Sequence, residues 1–301
     1  MDFIYNHKME TDKIIRAGKI ASEVKKYARS IIKKGVPLLE IAEKIESKIT
    51  ELGGKPAFPT NLSINNIAAH YTPGHDDKTP ADGLLKVDFG VHVDGWTADN
   101  AFSLDLEGNE ENKKLIEASE KALENALKIM KKDVSTDEIG KTIQETIESY
   151  DFSPVINLSG HSMEHYNLHS GITIPNINDK KNILLEEGFY AVEPFATTGS
   201  GRIHDGKPSG IYYLKEIKNT RSPVAREVLA FIEKEYDTLP FCSRWIVKKL
   251  GTKALFGLRE LEARGNLHHF SQLVEVRGSK VSQAEQTVLI SKEKGVIVTT
   301  L

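Results

Sequence analysis

Apolar and polar residues alternate from Leu85 to Val93, and the alternation resumes around Ala101–Leu106. A period of two is typical of β-strands that turn one face toward a core. Asp94 and Gly95 lie between the two runs, and an Asp-Gly pair favours a tight hairpin because both turn positions need a positive φ. The pattern therefore predicts two neighbouring antiparallel strands joined at residues 94 and 95.

The predicted hairpin brings two acids, Asp88 and Asp99, onto neighbouring strands where their side chains can converge. Both are embedded in apolar sequence, Val87-Asp88-Phe89 and Ala98-Asp99-Asn100. Burying a carboxylate costs free energy unless another group pairs with it. A bound cation is the obvious candidate for that partner.

Helical spacing of apolar residues predicts two amphipathic helices in the first fifty residues, separated at Gly35-Val36-Pro37. Two more are predicted after the hairpin, and Ser135 with Glu138 forms a capping box at the start of the second. A strand pair followed by helices, without strict β-α-β alternation, favours an α+β fold with a mostly antiparallel sheet.

Composition narrows the class of protein. The 301 residues are 39% hydrophobic and 28% charged, which allows a sizeable core and excludes a disordered or membrane-like chain. A net charge of −3 gives no general attraction to nucleic acid, so we expect no DNA partner. No apolar run reaches the roughly 20 residues of a membrane span. With no signal peptide and a single cysteine, Cys242, we expect a cytoplasmic protein.

Histidines are concentrated between residues 161 and 169. His161 and His169 are flanked by glycine and serine, which would let a bulky group approach them closely. If the intervening chain is extended, the two positions share one face because they are an even number apart. His70 ends a short strand-like run before a polar loop, and on this pattern alone it reads most simply as a half-buried histidine at a strand end.

Two further acids repeat the pattern of the hairpin, since Glu193 and Glu285 each interrupt an apolar strand-like run. Four carboxylates with the imidazole of His161 form a ligand set suited to Mn, Fe, Co or Zn. Four negative charges are too many for one divalent ion, so the set predicts two. A metal pair generates a hydroxide nucleophile at neutral pH and polarises a carbonyl, which is the chemistry of hydrolases and notably of aminopeptidases.

These segments occur in the order found in a known family, and they cover nearly the whole chain. They are Ala69-His70-Tyr71-Thr72-Pro73, Lys86-Val87-Asp88-Phe89-Gly90, Thr97-Ala98-Asp99, Gly160-His161-Ser162, Leu168-His169-Ser170-Gly171, Val192-Glu193-Pro194-Phe195 and Gln283-Ala284-Glu285-Gln286-Thr287. The chain resembles the type II methionine aminopeptidases, in an archaeal-like form. The resemblance implies the pita-bread fold, a curved antiparallel sheet backed by helices, with a helical insertion.

The resemblance also implies an activity, which is removal of the initiator methionine from nascent proteins by a metal-bridging hydroxide that attacks the scissile carbonyl. Asp88 would bind one metal, Asp99 and Glu285 would bridge the two, and His161 and Glu193 would complete the second site. Glu193 would also take a proton from the bridging hydroxide.

Other residues correspond to the family's substrate contacts. His70 matches the histidine that contacts the scissile amide, and His169 matches the one that hydrogen-bonds the substrate carbonyl. The methionine pocket would be lined by Phe58, Leu168, Phe195 and Phe270. The expected partners are the peptide N-termini of nascent proteins, with proximity to the ribosome and a monomeric state as further expectations.

The type II assignment depends on the long segment between Glu193 and Glu285. Ser222-Pro223 predicts a helix start, and two shorter helices are predicted over Phe241–Leu250 and Ala254–Leu261. The resulting division has a catalytic domain of residues 1–213 and 271–301 and a helical insertion of residues 214–270. An insertion without any part in function is the alternative.

The chain departs from its relatives around the site. Phe270 replaces a frequent tyrosine, and Ala284 and Gln286 stand where a larger aromatic residue and a histidine are common. These differences bear on substrate preference.

Two rival functions stay open: a dipeptidase or X-Pro aminopeptidase on the same scaffold, and a non-catalytic relative that binds RNA or protein.

Overall fold

The computed structural model describes residues 2–301, with side chains from residue 10 onward. The helices are α1 (Asp2–Ile31), α2 (Leu38–Glu51), α3 (Glu110–Ile129), α4 (Thr136–Glu148), α5 (Pro223–Tyr236), α6 (Ser243–Leu250) and α7 (Ala254–Ala263). The first strands are β1 (Lys55–Pro56), β2 (Asn61–Ile64), β3 (Ile67–Ala69), β4 (Leu84–Val93), β5 (Trp96–Asp105), β6 (Ser153–Pro154), β7 (Ser159–Met163) and β8 (Thr173–Pro175). The later strands are β9 (Gly188–Val192), β10 (Phe195–Thr197), β11 (His204–Leu214), β12 (Phe241–Cys242), β13 (Leu267–Val274), β14 (Val281–Gln283), β15 (Gln286–Ser291) and β16 (Gly295–Val298).

The predicted hairpin is confirmed. Strands β4 and β5 pair in continuous antiparallel register from Leu84 opposite Asp105 to Val93 opposite Trp96. The turn has φ values of 49° at Asp94 and 82° at Gly95, so both positions adopt the left-handed conformation that the Asp-Gly pair predicts.

The strands pack beneath helices in two halves, and their pairings are all antiparallel. In the first half, α1 and α2 cover β2, β4 and β5 with a shared apolar core. In the second half, α3 and α4 cover β8, β9, β10 and β15. The predicted helices and the predicted α+β fold with an antiparallel sheet are therefore confirmed.

The two halves meet where residues 99–103 of β5 lie against residues 283–287, a contact we call the junction. Thr287 Oγ1 accepts from the Asp99 amide at 2.7 Å and donates to the Asp99 carbonyl at 2.9 Å. The Glu285 amide donates to the Ala101 carbonyl at 3.0 Å, and Ser103 exchanges hydrogen bonds with the Gln283 backbone. These bonds bring Asp99 and Glu285 together, although they are far apart in sequence.

Helices α5, α6 and α7 come between β11 and β13 in chain order, and they share an apolar cluster of their own. Ser222 caps α5 with Pro223 in the first turn, as predicted. The predicted helix over Phe241–Leu250 begins only at Ser243, because Phe241 and Cys242 are extended and pair with β11. Position 270 lies inside β13, which pairs with both β11 and β3.

Two smaller findings concern the whole chain. Over the described residues, no helix has both the length and the apolar character that crossing a membrane requires. Cys242 is buried, and burial raises the pKa of its thiol to about 12, so the thiol stays protonated and unreactive near neutral pH.

We predict that Gly160→Ala destabilises the second half of the fold. A Cβ at position 160 would lie 2.3 Å from the Ala191 carbonyl oxygen, so β7 and β9 would have to separate. The expected cost is about 1–3 kcal/mol of unfolding free energy, measured by urea denaturation. Gly74→Ala is the matched control, because its Cβ would meet only the Asp76 carboxylate at 3.8 Å. Equal stability of the two variants would contradict this packing.

Candidate metal centre and active site

One cavity of about 350 Å³ opens between the two halves of the fold. All the side chains for which the sequence predicts a role line it. They are Phe58, His70, Asp88, Asp99, His161, Leu168, His169, Glu193, Phe195, Phe270 and Glu285. The structure thus brings the predicted metal ligands, the predicted catalytic histidines and the predicted pocket into one place, while their individual roles stay predictions.

The acids reach the cavity in two different ways. Asp88 and Asp99 lie within β4 and β5, as the alternation predicts. The expectation that Glu193 and Glu285 also lie within strands is wrong. Glu193 follows the last residue of β9, and Glu285 lies with Ala284 between β14 and β15. Both acids therefore lie at breaks between strands, and at Glu193 the break coincides with Pro194.

Three buried ligand groups form the tightest cluster. The donor atoms of Asp99, His161 and Glu285 all lie within 4.8 Å of one another. His161 Nε2 is 3.8 Å from Asp99 Oδ2 and 3.7 Å from Glu193 Oε1. These separations exceed a hydrogen bond, and two ligand atoms each about 2.0–2.2 Å from a shared ion lie up to about 4 Å apart. The spacing therefore fits a metal ion between the side chains.

Two carboxylate oxygens of the candidate ligands have no partner within the part of the chain that the structure describes. They are Asp88 Oδ1 and Asp99 Oδ1, both buried. Unpaired buried polar atoms cost free energy, so their clustering indicates a missing ligand. Oxygen and imidazole donors without a thiolate suit a hard or borderline divalent cation. The residues present thus fit a metal.

Burial and mutual repulsion shift the pKa values of these groups. Burial raises the pKa of Asp88 to about 7. Burial, with the neighbouring acids, raises the pKa of Asp99, Glu193 and Glu285 well above the usual range. For His161, burial lowers the pKa to about 3, so its imidazole is neutral and can bind a cation.

Lys86 is a buried lysine on β4, close in sequence to Asp88, and it could have neutralised the acids. Its Nζ instead donates to the Asn65 backbone carbonyl at 2.6 Å. Burial lowers the pKa of Lys86 well below its usual value, which favours the uncharged amine. Over the described residues, no salt bridge joins any of the four acids to a lysine or arginine.

Sequence reasoning missed Gln283, which lies on β14. Its Nε2 donates to Asp88 Oδ2 and to Glu193 Oε2, both at 3.4 Å, and so links acids from the two halves. The available signal was the spacing of Gln283 and Glu285. In a strand, side chains two positions apart share one face. Asn61 was also missed. It pairs in register with Asp88, lines the cavity and is only 4% exposed.

His161 and His169 do lie side by side, with ring centroids 4.2 Å apart. The predicted route, an extended chain between them, is wrong. Strand β7 ends at Met163, and a turn follows in which Glu164 bridges to Asn167 and Tyr166 has a φ of 54°. The chain therefore folds back, and the turn brings the second ring to the first. Burial lowers the pKa of His169, so this ring is also neutral.

His70 comes directly after β3, at the strand end where the sequence predicts it, and has a positive φ of 62°. Its Nδ1 lies 3.3 Å from the Ser271 carbonyl, so Nδ1–H donates and Nε2 carries the free lone pair. Burial lowers the pKa of His70 to about 4, which keeps the ring neutral. Phe270 packs edge-on against it, with centroids 5.3 Å apart.

The apolar part of the cavity combines residues of both halves with residues of the segment from β11 to β13. Phe58 and Leu168 belong to one apolar cluster, and Phe195 belongs to another. Ile211 on β11 and Pro240 next to β12 also face the cavity, together with Phe270. The arrangement is an apolar slot that ends at a group of acids and histidines.

Comparison with known proteins identifies the family. The model of metallopeptidase family M24 matches residues 12–236. The chain belongs to this family. A metallopeptidase of family M24 uses divalent metal, which agrees with the candidate cluster of Asp99, His161 and Glu285.

Individual relatives of this M24 chain confirm the resemblance. A methionine aminopeptidase of Pyrococcus horikoshii is 46% identical over 97% of this chain and 100% of that protein. The structure of a methionine aminopeptidase from Thermotoga maritima superposes with a TM-score of 0.68 at 23% identity, over 97% of this chain and 96% of that chain. The structure of a thermophilic Arx1 gives 0.81 at 16% identity, over 96% and 90%. The two structures confirm the pita-bread fold.

We predict that metal binding releases protons and strengthens as pH rises. The raised carboxyl pKa values mean that protons occupy the site near neutral pH and must leave before an ion binds. Each proton displaced raises the affinity about tenfold per pH unit, so Mn²⁺ binds more tightly at about pH 7.5 than at about pH 6.5.

Calorimetric Mn²⁺ titrations in buffers of different ionisation enthalpy measure these protons. Asp99→Asn removes one titrating ligand and should release fewer protons, whereas Asp94→Asn, in the exposed hairpin turn, should change nothing. Binding that is independent of pH and releases no protons would contradict the prediction.

Proposed function

We propose that this M24 metallopeptidase is a methionine aminopeptidase that removes the initiator methionine from nascent proteins. The observation that carries the proposal is the cavity in which buried acids and three neutral histidines adjoin an apolar slot. The 46% identity to the Pyrococcus horikoshii methionine aminopeptidase, over nearly the whole of both chains, supports the same activity. Its substrates are then peptides with a free N-terminal methionine.

We propose that the centre holds two divalent ions, drawn from Co, Mn, Fe or Zn. Asp88, Asp99, His161, Glu193 and Glu285 would hold these ions, since their side chains all line the same cavity. The charge of four buried carboxylates supports two ions rather than one. When bound, such a pair supplies a hydroxide nucleophile at neutral pH and polarises the scissile carbonyl.

The chain's own residues then carry out the proton and hydrogen-bond steps. Glu193 would accept a proton in the space that its carboxylate shares with His161 Nε2, and would return a proton to the departing amine. His169 donates a ring N–H to the substrate carbonyl as negative charge develops there. His70 accepts a hydrogen bond from the scissile amide through Nε2, because its Nδ1–H is already held by Ser271. This contact orients the nitrogen that leaves as the new amine.

Selection of methionine falls to the apolar slot lined by Phe58, Leu168, Phe195 and Phe270. Such a slot discriminates by only about 1–3 kcal/mol per methylene, so the shape of the slot does most of the selection.

We propose residues 214–270 as the insertion subdomain beside the catalytic domain of residues 1–213 and 271–301. The separate apolar cluster of α5, α6 and α7 supports this division. We further propose that the protein is a monomer. It would act in the cytoplasm, close to the ribosome.

The activity is tested with a Met-Ala-Ser peptide and Mn²⁺, Fe²⁺ or Co²⁺. We expect release of free methionine, its loss on adding a chelator, and no release from the N-formylated peptide. Faster cleavage of an X-Pro peptide would favour the rival dipeptidase or X-Pro aminopeptidase activity. A protein that binds metal but cleaves neither peptide would overturn the proposal.

We predict that His70→Ala lowers the kcat for methionine release by about 10²–10⁴-fold. The substitution removes the hydrogen bond to the scissile amide but leaves the metal ligands in place. The metal content, measured by elemental analysis, should therefore stay the same. His165→Ala is the matched control, since His165 is exposed and its Nε2 bonds only the Asp94 carbonyl at the hairpin turn. Full activity of His70→Ala would refute the role assigned to this residue.

A further inference from the structure

A buried ion pair joins the insertion to the first half of the catalytic domain, outside the cavity. Arg244 on α6 is 2% exposed and meets Glu46 on α2 in a bidentate contact. Nη1 donates to Oε2 at 2.7 Å, and Nη2 donates to Oε1 at 2.8 Å. Trp245 Nε1 also donates to Glu46 Oε2 at 2.8 Å. The carboxylate is therefore held from two neighbouring positions on α6.

The same guanidinium holds the chain that follows His70. Arg244 Nε donates to the Pro73 carbonyl at 3.0 Å, and Nη2 lies 3.4 Å from Thr72 Oγ1. All these groups are buried, where a charged donor makes a strong hydrogen bond. The anchor on the backbone thus lies only two to three residues from the histidine that faces the substrate.

The network extends to a second wall of the cavity. Thr72 Oγ1 donates to the Thr60 carbonyl at 2.9 Å, and the Thr60 amide donates to Glu46 Oε1 at 3.2 Å. Thr60 follows Phe58 and Pro59, both of which line the cavity. Glu46 and Arg244 together therefore fix the segment that carries Phe58 and the segment that carries His70.

His70 needs such support because its backbone is in an uncommon conformation. A φ of 62° at a residue other than glycine persists only where the surrounding structure fixes the chain on both sides. On the N-terminal side, Ala69 pairs with Leu273 of β13. On the C-terminal side, the Tyr71 carbonyl accepts from the Leu62 amide, and Arg244 then holds Thr72 and Pro73.

We propose that Arg244, oriented by Glu46, is a positioning residue through which the insertion holds His70 in its reactive orientation. The proposal rests on the proposed function for the role of His70 and adds a task for the insertion. Removing the guanidinium releases residues 72–73, and the ring of His70 then shifts relative to the substrate amide. Displacement of a reacting group by about 1 Å can lower the rate about 100-fold.

The kinetic test compares Arg244→Met with Lys248→Met. Lys248 and Glu43 form an exposed ion pair between the same two helices, 3.1 Å long, and make a matched control. We expect Arg244→Met to lower kcat about 10- to 100-fold while KM for Met-Ala-Ser and the bound Mn²⁺ stay the same. We expect Lys248→Met to leave all three unchanged. Full kcat in Arg244→Met would overturn the proposal.

A second variant separates positioning from stability. Arg244→Met alone leaves the Glu46 charge buried and unpaired, whereas adding Glu46→Gln removes that charge and should restore the unfolding temperature. If Arg244 only stabilised the fold, activity would recover together with the unfolding temperature. The proposal predicts that kcat stays low in the double variant, because neither new side chain holds Pro73.

A cycle with His70→Ala tests whether the effect passes through His70. We expect His70→Ala combined with Arg244→Met to have the same kcat as His70→Ala alone. Additive losses would overturn the proposal.

Histidine ring signals give a readout that does not depend on activity. In ¹⁵N-histidine-labelled protein, Arg244→Met should move the ring resonances of His70 and leave those of His92 and His165 in place. Unmoved His70 resonances would overturn the positioning role, even if methionine release failed in the wild type. Absence of methionine release in the wild type, with the His70 resonances moving as expected, would overturn the proposed function alone.

Discussion

Four carboxyl groups share one buried space, and this constraint shapes the whole molecule. In the part of the chain that the structure describes, no lysine or arginine forms an ion pair with Asp88, Asp99, Glu193 or Glu285. Lys86, a buried lysine on the strand that carries Asp88, is directed to a backbone carbonyl. Without a cation, burial and repulsion keep protons on the acids, so the folded protein is prepared for a positively charged ligand.

The acids converge because the two halves of the fold are joined along the junction of β5 with residues 283–287. Its hydrogen bonds involve the backbones of Asp99 and Glu285 themselves, so the elements that assemble the fold also assemble the site. Gln283 adds a bond to an acid from each half. Substitutions at the junction should therefore affect stability and metal binding together.

The sequence predicts those parts of the site that depend only on residues close together in the chain. Asp94-Gly95 determines the hairpin that carries Asp88 and Asp99, and Ser222-Pro223 determines the start of α5. The break after Glu193 has a local signal in Pro194, whereas no glycine or proline marks the break at Ala284 and Glu285. The turn that returns His169 to His161 was missed because it contains no glycine or proline before Gly171. The contact of Glu46 with Arg244 joins distant segments, and no local pattern encodes it.

The segment from β11 to β13, which we propose as the insertion, contacts the rest of the molecule in two places. Phe270, Ile211 and Pro240, on or beside it, complete the apolar slot, and Arg244 reaches the chain behind His70. Arg244 therefore holds residues of the first half that come directly after His70 in the cavity wall.

The central claim is that the gathered acids and His161 hold divalent ions. The most direct measurement is the anomalous scattering of a crystal grown with Mn²⁺. The account predicts two peaks in the cavity, each within about 2.3 Å of carboxylate or imidazole atoms of the five ligands. An active crystalline protein whose Mn²⁺ lies elsewhere, with the acids left without an ion, would contradict it.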